Sequence, residues 1–70
     1  MKQFIKNIPA SERTGPPVQC TTKSGMKYIV SHNRLKMTFS LYKVIEGGYE
    51  RVLTGANTPF ECYKMVPWGK

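Results

Sequence analysis

The amino-acid sequence predicts a small α+β domain: a three-stranded antiparallel β-meander followed by one short C-terminal helix packed on one face, with an extended N-terminal arm. Three observations predict it. Apolar and polar residues alternate in MKYIVS (residues 26–31) and again through TFSLYKVIEGGYERVL (residues 38–53), where a glycine pair divides two half-strands. Alternation of this kind puts every second side chain on one face, as a strand does. NTPFECYKMVPW (residues 57–68) then carries helix signals in order. Residues 1–25 hold Pro9, Gly15, Pro16, Pro17 and Gly25 among scattered polar residues, so no period survives there. The expected division is an irregular basic arm, residues 1–25, and a βββα domain, residues 26–70.

In the arm, TGPPV should be extended, because proline fixes its own backbone and disfavours the helical region for the residue before it. Phe4, Ile5 and Ile8 stand at helical spacing before Pro9, enough for a single turn. In the first strand Met26, Tyr28 and Val30 share a face, and His32-Asn33 serves as the turn, since Asn tolerates the left-handed region. The register that follows pairs Val30 with Leu35, Tyr28 with Met37 and Met26 with Phe39.

The second strand adds Leu41 and Ile45 to that face. At EGGY a loop of Glu46-Gly47-Gly48, with Gly48 left-handed, pairs Ile45 with Tyr49 and Leu41 with Leu53. A tighter Gly47-Gly48 turn would set Ile45 opposite Glu50 instead. The longer loop keeps the apolar side chains together, although it places Lys43 opposite Arg51.

In the helix, Thr58 stands as cap, Pro59 at the first helical position and Glu61 where it closes a capping box, with Pro67 as the stop. Phe60, Tyr63 and Val66 form the apolar arc with Cys62 beside them, while Glu61, Lys64 and Met65 look outward and Trp68 reaches the sheet's edge. A helix so short is unstable alone and must dock. Residues 26–70 by themselves lie near the roughly 40-residue limit below which small domains need metals, disulfides or oligomers. The arm must therefore pack Phe4, Ile8 or Val18 onto the domain, or two copies pair through a strand edge as a homodimer, or a partner completes the fold.

The 70 residues include 11 Lys and Arg against 4 acidic residues, a net charge of +7, which makes polyanions the natural partners. Cys20 and Cys62 are too few for a disulfide framework, and no apolar run of the signal-peptide kind follows the first lysine, so a cytoplasmic location is expected. Apolar runs are too short for a membrane-spanning helix, and no membrane partner is expected. His32 lacks a nearby carboxylate to orient it, and together with Cys20 and Cys62 it does not complete a tetrahedral zinc site. The Gly47-Gly48 pair precedes a strand and lacks the lysine and hydroxyl residue of a phosphate loop. Neither an enzyme nor a metal or cofactor site is expected.

Function is expected on the reverse face of the sheet. Lys27, Arg34 and Lys36 supply cations for phosphates, and Lys23 with the arm's Lys2, Lys6 and Arg13 reaches the same anion. Thr38 and Ser40 supply hydrogen-bond donors, and Tyr42 a stacking platform. The leading expectation is a small non-catalytic nucleic-acid-binding protein gripping the phosphate backbone of DNA or RNA. Its rival is a protein–protein interaction module, an inhibitor or accessory factor of phage or mobile-element type, docking Tyr42, Val44 and Val52 on an acidic protein partner. Three strands and a helix are similar in architecture to the plant-type GCC-box domain and to integrase arm-binding domains, which read DNA with the sheet. No motif is shared with either, and no family is assigned.

Overall fold

The residues expected to form an irregular arm supply both edges of the sheet. In the computed structural model, which describes residues 3–69, the strands are β1 (Gln3–Ile5), β2 (Val18–Thr21), β3 (Lys27–Asn33), β4 (Thr38–Ile45) and β5 (Gly48–Ala56), followed by one helix, α1 (Pro59–Met65). They form one open antiparallel sheet in the order β1-β5-β4-β3-β2. The expected three strands are thus five. The edge strands escaped notice because segments this short have no period to read, and each is held by the ladder of a single longer neighbour. Pro16 and Pro17, lacking a donor N–H, stand just before β2, a place open to proline only at a sheet edge. The arm's Lys2 lies outside the described residues.

Because β1 and β2 occupy opposite edges, residues 6–17 must cross the sheet. They run diagonally over the face away from α1, through a 3-10 turn at Ala10–Glu12, and rejoin the sheet where Arg13 bridges His32 in parallel. The molecule is therefore three layers: helix, sheet and strap. Ile8 of the strap is buried, and β1 packs so closely on β5 that a Cβ on Gly48 would meet the carbonyl oxygen of Ile5 at 2.5 Å.

Both hairpin registers differ from expectation. Between β3 and β4, Val30 faces Leu41 and Tyr28 faces Lys43, with Asn33–Thr38 the last rung. His32 and Asn33 are strand residues, and the turn is residues 34–37. The observed register keeps the same faces together as the expected one, which is why side-chain parity alone did not separate them. Leu35 and Met37, assigned to the core, are instead 88% and 69% exposed. His32 stacks flat on Phe39, ring centroids 4.3 Å apart.

Between β4 and β5 the turn is Glu46-Gly47, with Gly47 at φ +81° and Ile45 facing Gly48. The left-handed residue is Gly47, where a side chain would be strained, and not Gly48. The ladder slips between Tyr42 and Leu41, leaving Val52 as a bulge, and Leu41 recovers its expected partner Leu53. This arrangement sets Lys43 opposite Glu50 in place of the like charge of Arg51, and turns Arg51 to the strap face.

The helix begins as expected. Glu61 accepts hydrogen bonds from the backbone N–H groups of Asn57 (2.7 Å) and Thr58 (3.2 Å), and Pro59 fills the first position. Its buried stripe is narrower than predicted, running through Cys62 and Val66 with Tyr63 at its margin, whereas Phe60 is 68% exposed and rests edge-on against Tyr63. Cys62 and Val66 lie one turn apart on the sheet, against Cys20, Tyr28, Val30, Leu41 and Ala56. Beyond the helix, Trp68 Nε1 donates to the Tyr63 carbonyl at 2.9 Å, and the Trp68 carbonyl accepts from Lys23 N–H in the β2–β3 turn. The tail is thereby tied to the β2 edge.

Candidate functional site

The sheet face expected to lie open is closed by the strap. Tyr42 is completely buried there, its hydroxyl donating to Glu12 Oε1 at 2.6 Å, and Arg51 reaches Glu12 Oε2 at 3.8 Å with its guanidinium 5.7 Å from the centre of the Tyr42 ring. Arg51 also donates to Gln3 Oε1 of β1 at 3.1 Å, so a single β5 side chain touches both the strap and the edge strand. Burial first, and the bond to Glu12 next, push the Tyr42 hydroxyl above its ordinary ionisation range. Ser31 Oγ and Arg51 Nε are buried here with no hydrogen-bond partner among the described residues.

These placements correct the expected site. Tyr42 offers no stacking platform, and Ser40 is buried with its hydroxyl 3.2 Å from that of Thr54. Thr38, Val44 and Val52 are half-buried. For Tyr42 the physical reason is the arm, which was expected to reach outward and instead folds back to set Glu12 on its hydroxyl, whereas Val52, at the bulge, packs against the helix-side cluster. The cations divide between the two ends of the sheet. Lys6, Lys23 and Lys27 stand exposed at the end that carries the β2–β3 and β4–β5 turns, near Glu46 and the Lys43–Glu50 pair. Arg34 and Lys36 stand at the opposite end, in the β3–β4 turn, and the strap brings Arg13 beside them through its bridge to His32. At ~3.3 Å per residue along β3, the two groups are about 20 Å apart.

The β3–β4 turn is held at its base by side chains. Thr14 Oγ1, from the strap, accepts from Arg34 N–H at 2.8 Å and donates to the His32 carbonyl at 3.2 Å. Asn33 Oδ1 accepts from Lys36 N–H, three residues on, at 3.1 Å, and so caps the turn. Met37 takes φ +57°, a conformation uncommon for an unbranched apolar residue and costing of order 1 kcal/mol or more. The product is a fixed tip that presents Arg34, Leu35, Lys36 and Met37 outward. Leu35, Met37 and Thr14 were not expected at the site. Asn33 is a turn-favouring residue that the sequence shows, but nothing local announces Thr14, which acts across the chain.

Both cysteines are buried thiols on the helix side, and burial pushes Cys62 up to about 11 and raises Cys20, so neither is a ready nucleophile or ligand. Among the described residues no group of three His, Cys, Asp or Glu side chains is placed to hold a metal ion, and no helix is long and apolar enough to cross a membrane. No protein-family model matches the chain. Neither a curated protein nor a solved structure shows significant similarity to it.

Proposed function

We propose that this protein is a non-catalytic nucleic-acid-binding protein that grips backbone phosphate with the β3–β4 tip. One observation carries the reading: Arg13, Arg34 and Lys36 converge, all exposed, on a turn whose backbone is already fixed by Thr14 and Asn33. Of the nearest carboxylates, Glu12 points from the strap to Tyr42 and Arg51, and Glu61 accepts backbone N–H groups in the helix cap. Three cations thus share this end with the one carboxylate of Glu61, whereas at the other end two, Glu46 and Glu50, lie among the lysines. A rigid cationic turn meets phosphate with little ordering cost, and the net charge of +7 steers polyanions toward it. Two buried free thiols fit a reducing compartment such as the cytoplasm.

The test is equilibrium binding to random-sequence duplex DNA and to single strands across a series of salt concentrations. Affinity should fall with salt at a log-log slope near −0.9 per phosphate contacted on duplex DNA. The pair Arg34→Glu with Lys36→Glu, both on exposed side chains, should reduce the slope by about two and leave the unfolding transition in place. Absence of binding even at low salt would overturn the proposal.

A further inference from the structure

The tip carries more than charge. Leu35 is 88% exposed and Met37 69%, and they alternate with Arg34 and Lys36 in one turn. Scattered exposed apolar residues need no explanation, but this pair sits on a backbone held at both ends, with Met37 itself in a left-handed conformation. Resting on the nucleic-acid reading above, we propose that Leu35 and Met37 form a wedge that presses into a base step of duplex DNA and kinks it, while Arg34, Lys36 and Arg13 neutralise the flanking phosphates.

Shape favours a wedge over a ribbon lying in the major groove. Residues 34–37 lie past the last β3–β4 rung, Asn33–Thr38, whereas at this end β2 reaches only Val30, through Val18, and β5 only Phe39, through Ala56. A knob of that length reaches one step, not a stretch of groove. Leucine and methionine are among the apolar side chains that enter between base steps from the minor groove, and unstacking one step costs a few kcal/mol that the bent complex recovers in added contacts. The order Arg34-Leu35-Lys36-Met37 places a cation on either side of Leu35 and one before Met37, where the backbone phosphates of the opened step lie. A single-stranded partner offers no stack to open, and a wedge gains nothing there.

The experiment measures affinity and end-to-end distance by fluorescence transfer on a doubly labelled duplex, for the full chain and for Leu35→Ser and Met37→Ser. Both side chains are exposed, so the variants keep the fold. The expected result is a shortened end-to-end distance with the full chain and tighter binding to a duplex holding one mismatched pair, where unstacking is easier. Each variant should lose the bend and bind about tenfold more weakly, as removal of a buried apolar side chain implies, with the salt slope unchanged. A straight duplex bound equally by all three proteins would overturn the wedge and leave the phosphate grip standing. No duplex binding at low salt would overturn both. Binding to vesicles of anionic lipid, lost in Leu35→Ser, in place of duplex binding would assign the tip to a membrane surface and also overturn the wedge.

Discussion

The two faces of the sheet are closed by different chemistry. On the helix side the cover is dry: Cys62 and Val66 press on Cys20, Tyr28, Val30, Leu41 and Ala56, and what holds it is apolar area removed from water. On the strap side the most buried large group is Tyr42, and it is held by a directed bond to Glu12 with Arg51 beside both. A dry cover tolerates small displacement at modest cost, whereas a hydrogen-bonded one works only in its one geometry. The difference teaches that a segment without hydrophobic periodicity can still close a sheet face, provided a few polar partners reach it.

The largest expected effect falls on the helix side. Leu41 is fully buried at the centre of that cluster, and Leu41→Ala should cost about 3 kcal/mol. A chain of this length has on the order of 5 kcal/mol in total, so the urea midpoint should drop by more than half. Because β4 belongs to both faces, amide exchange should accelerate on the strap side as well. If residues 6–17 kept their protection while the helix amides lost theirs, the two covers would be independent units and the contrast between them would need restating.

A smaller effect, about 2 kcal/mol, is expected for Tyr42→Phe, which keeps the ring but leaves Glu12 without its donor. Here exchange in residues 6–17 should rise well before that of α1. The pH dependence sharpens the point. The folded chain keeps the Tyr42 proton above the ordinary tyrosine value of 10.0, so the stability it contributes is fully present below pH 10.0 and is lost as pH rises through the higher folded value. The gap between the parent and Tyr42→Phe should therefore close on the alkaline side. No gap at any pH would show that ring packing, and not the hydroxyl, holds the strap.

The same contrast explains what could be read from the sequence. The helix side was legible because its signals are local: Thr58, Pro59 and Glu61 form the cap they announce, and alternation in β3 and β4 assigns faces correctly. Parity, however, is blind to any slip that preserves it, so Leu35 and Met37 were assigned to the core when they belong to the tip. The strap side was not legible. Glu12, Thr14 and Gln3 act on Tyr42, Arg34 and Arg51 from far along the chain, and no period in residues 1–25 marks the short edge strands. Of the residues expected at the site, Arg34 and Lys36 lie in the β3–β4 turn with Arg13 bridged to nearby His32, while Ser40 and Tyr42 are buried, Tyr42 under an arm whose return no local signal announces.

The smallest expected effect joins the two regions. Thr14 belongs to the strap, yet its hydroxyl spans the His32 carbonyl and the Arg34 N–H at the base of the tip. Thr14→Val preserves the shape and removes both bonds. Since Thr14 and Arg34 are exposed, water replaces the lost partner, and stability should fall by no more than about 1 kcal/mol. The consequence for binding should be larger in proportion. If the strap fixes the tip for its ligand, a freed turn must be ordered on binding, and duplex affinity should weaken by about threefold to tenfold with the salt slope unchanged, because no cation has been removed. Unchanged affinity would mean that the strap only covers Tyr42 and that the tip holds its shape without it. A changed slope would mean instead that Arg13 had moved with Thr14, which makes the strap part of the grip and not its support.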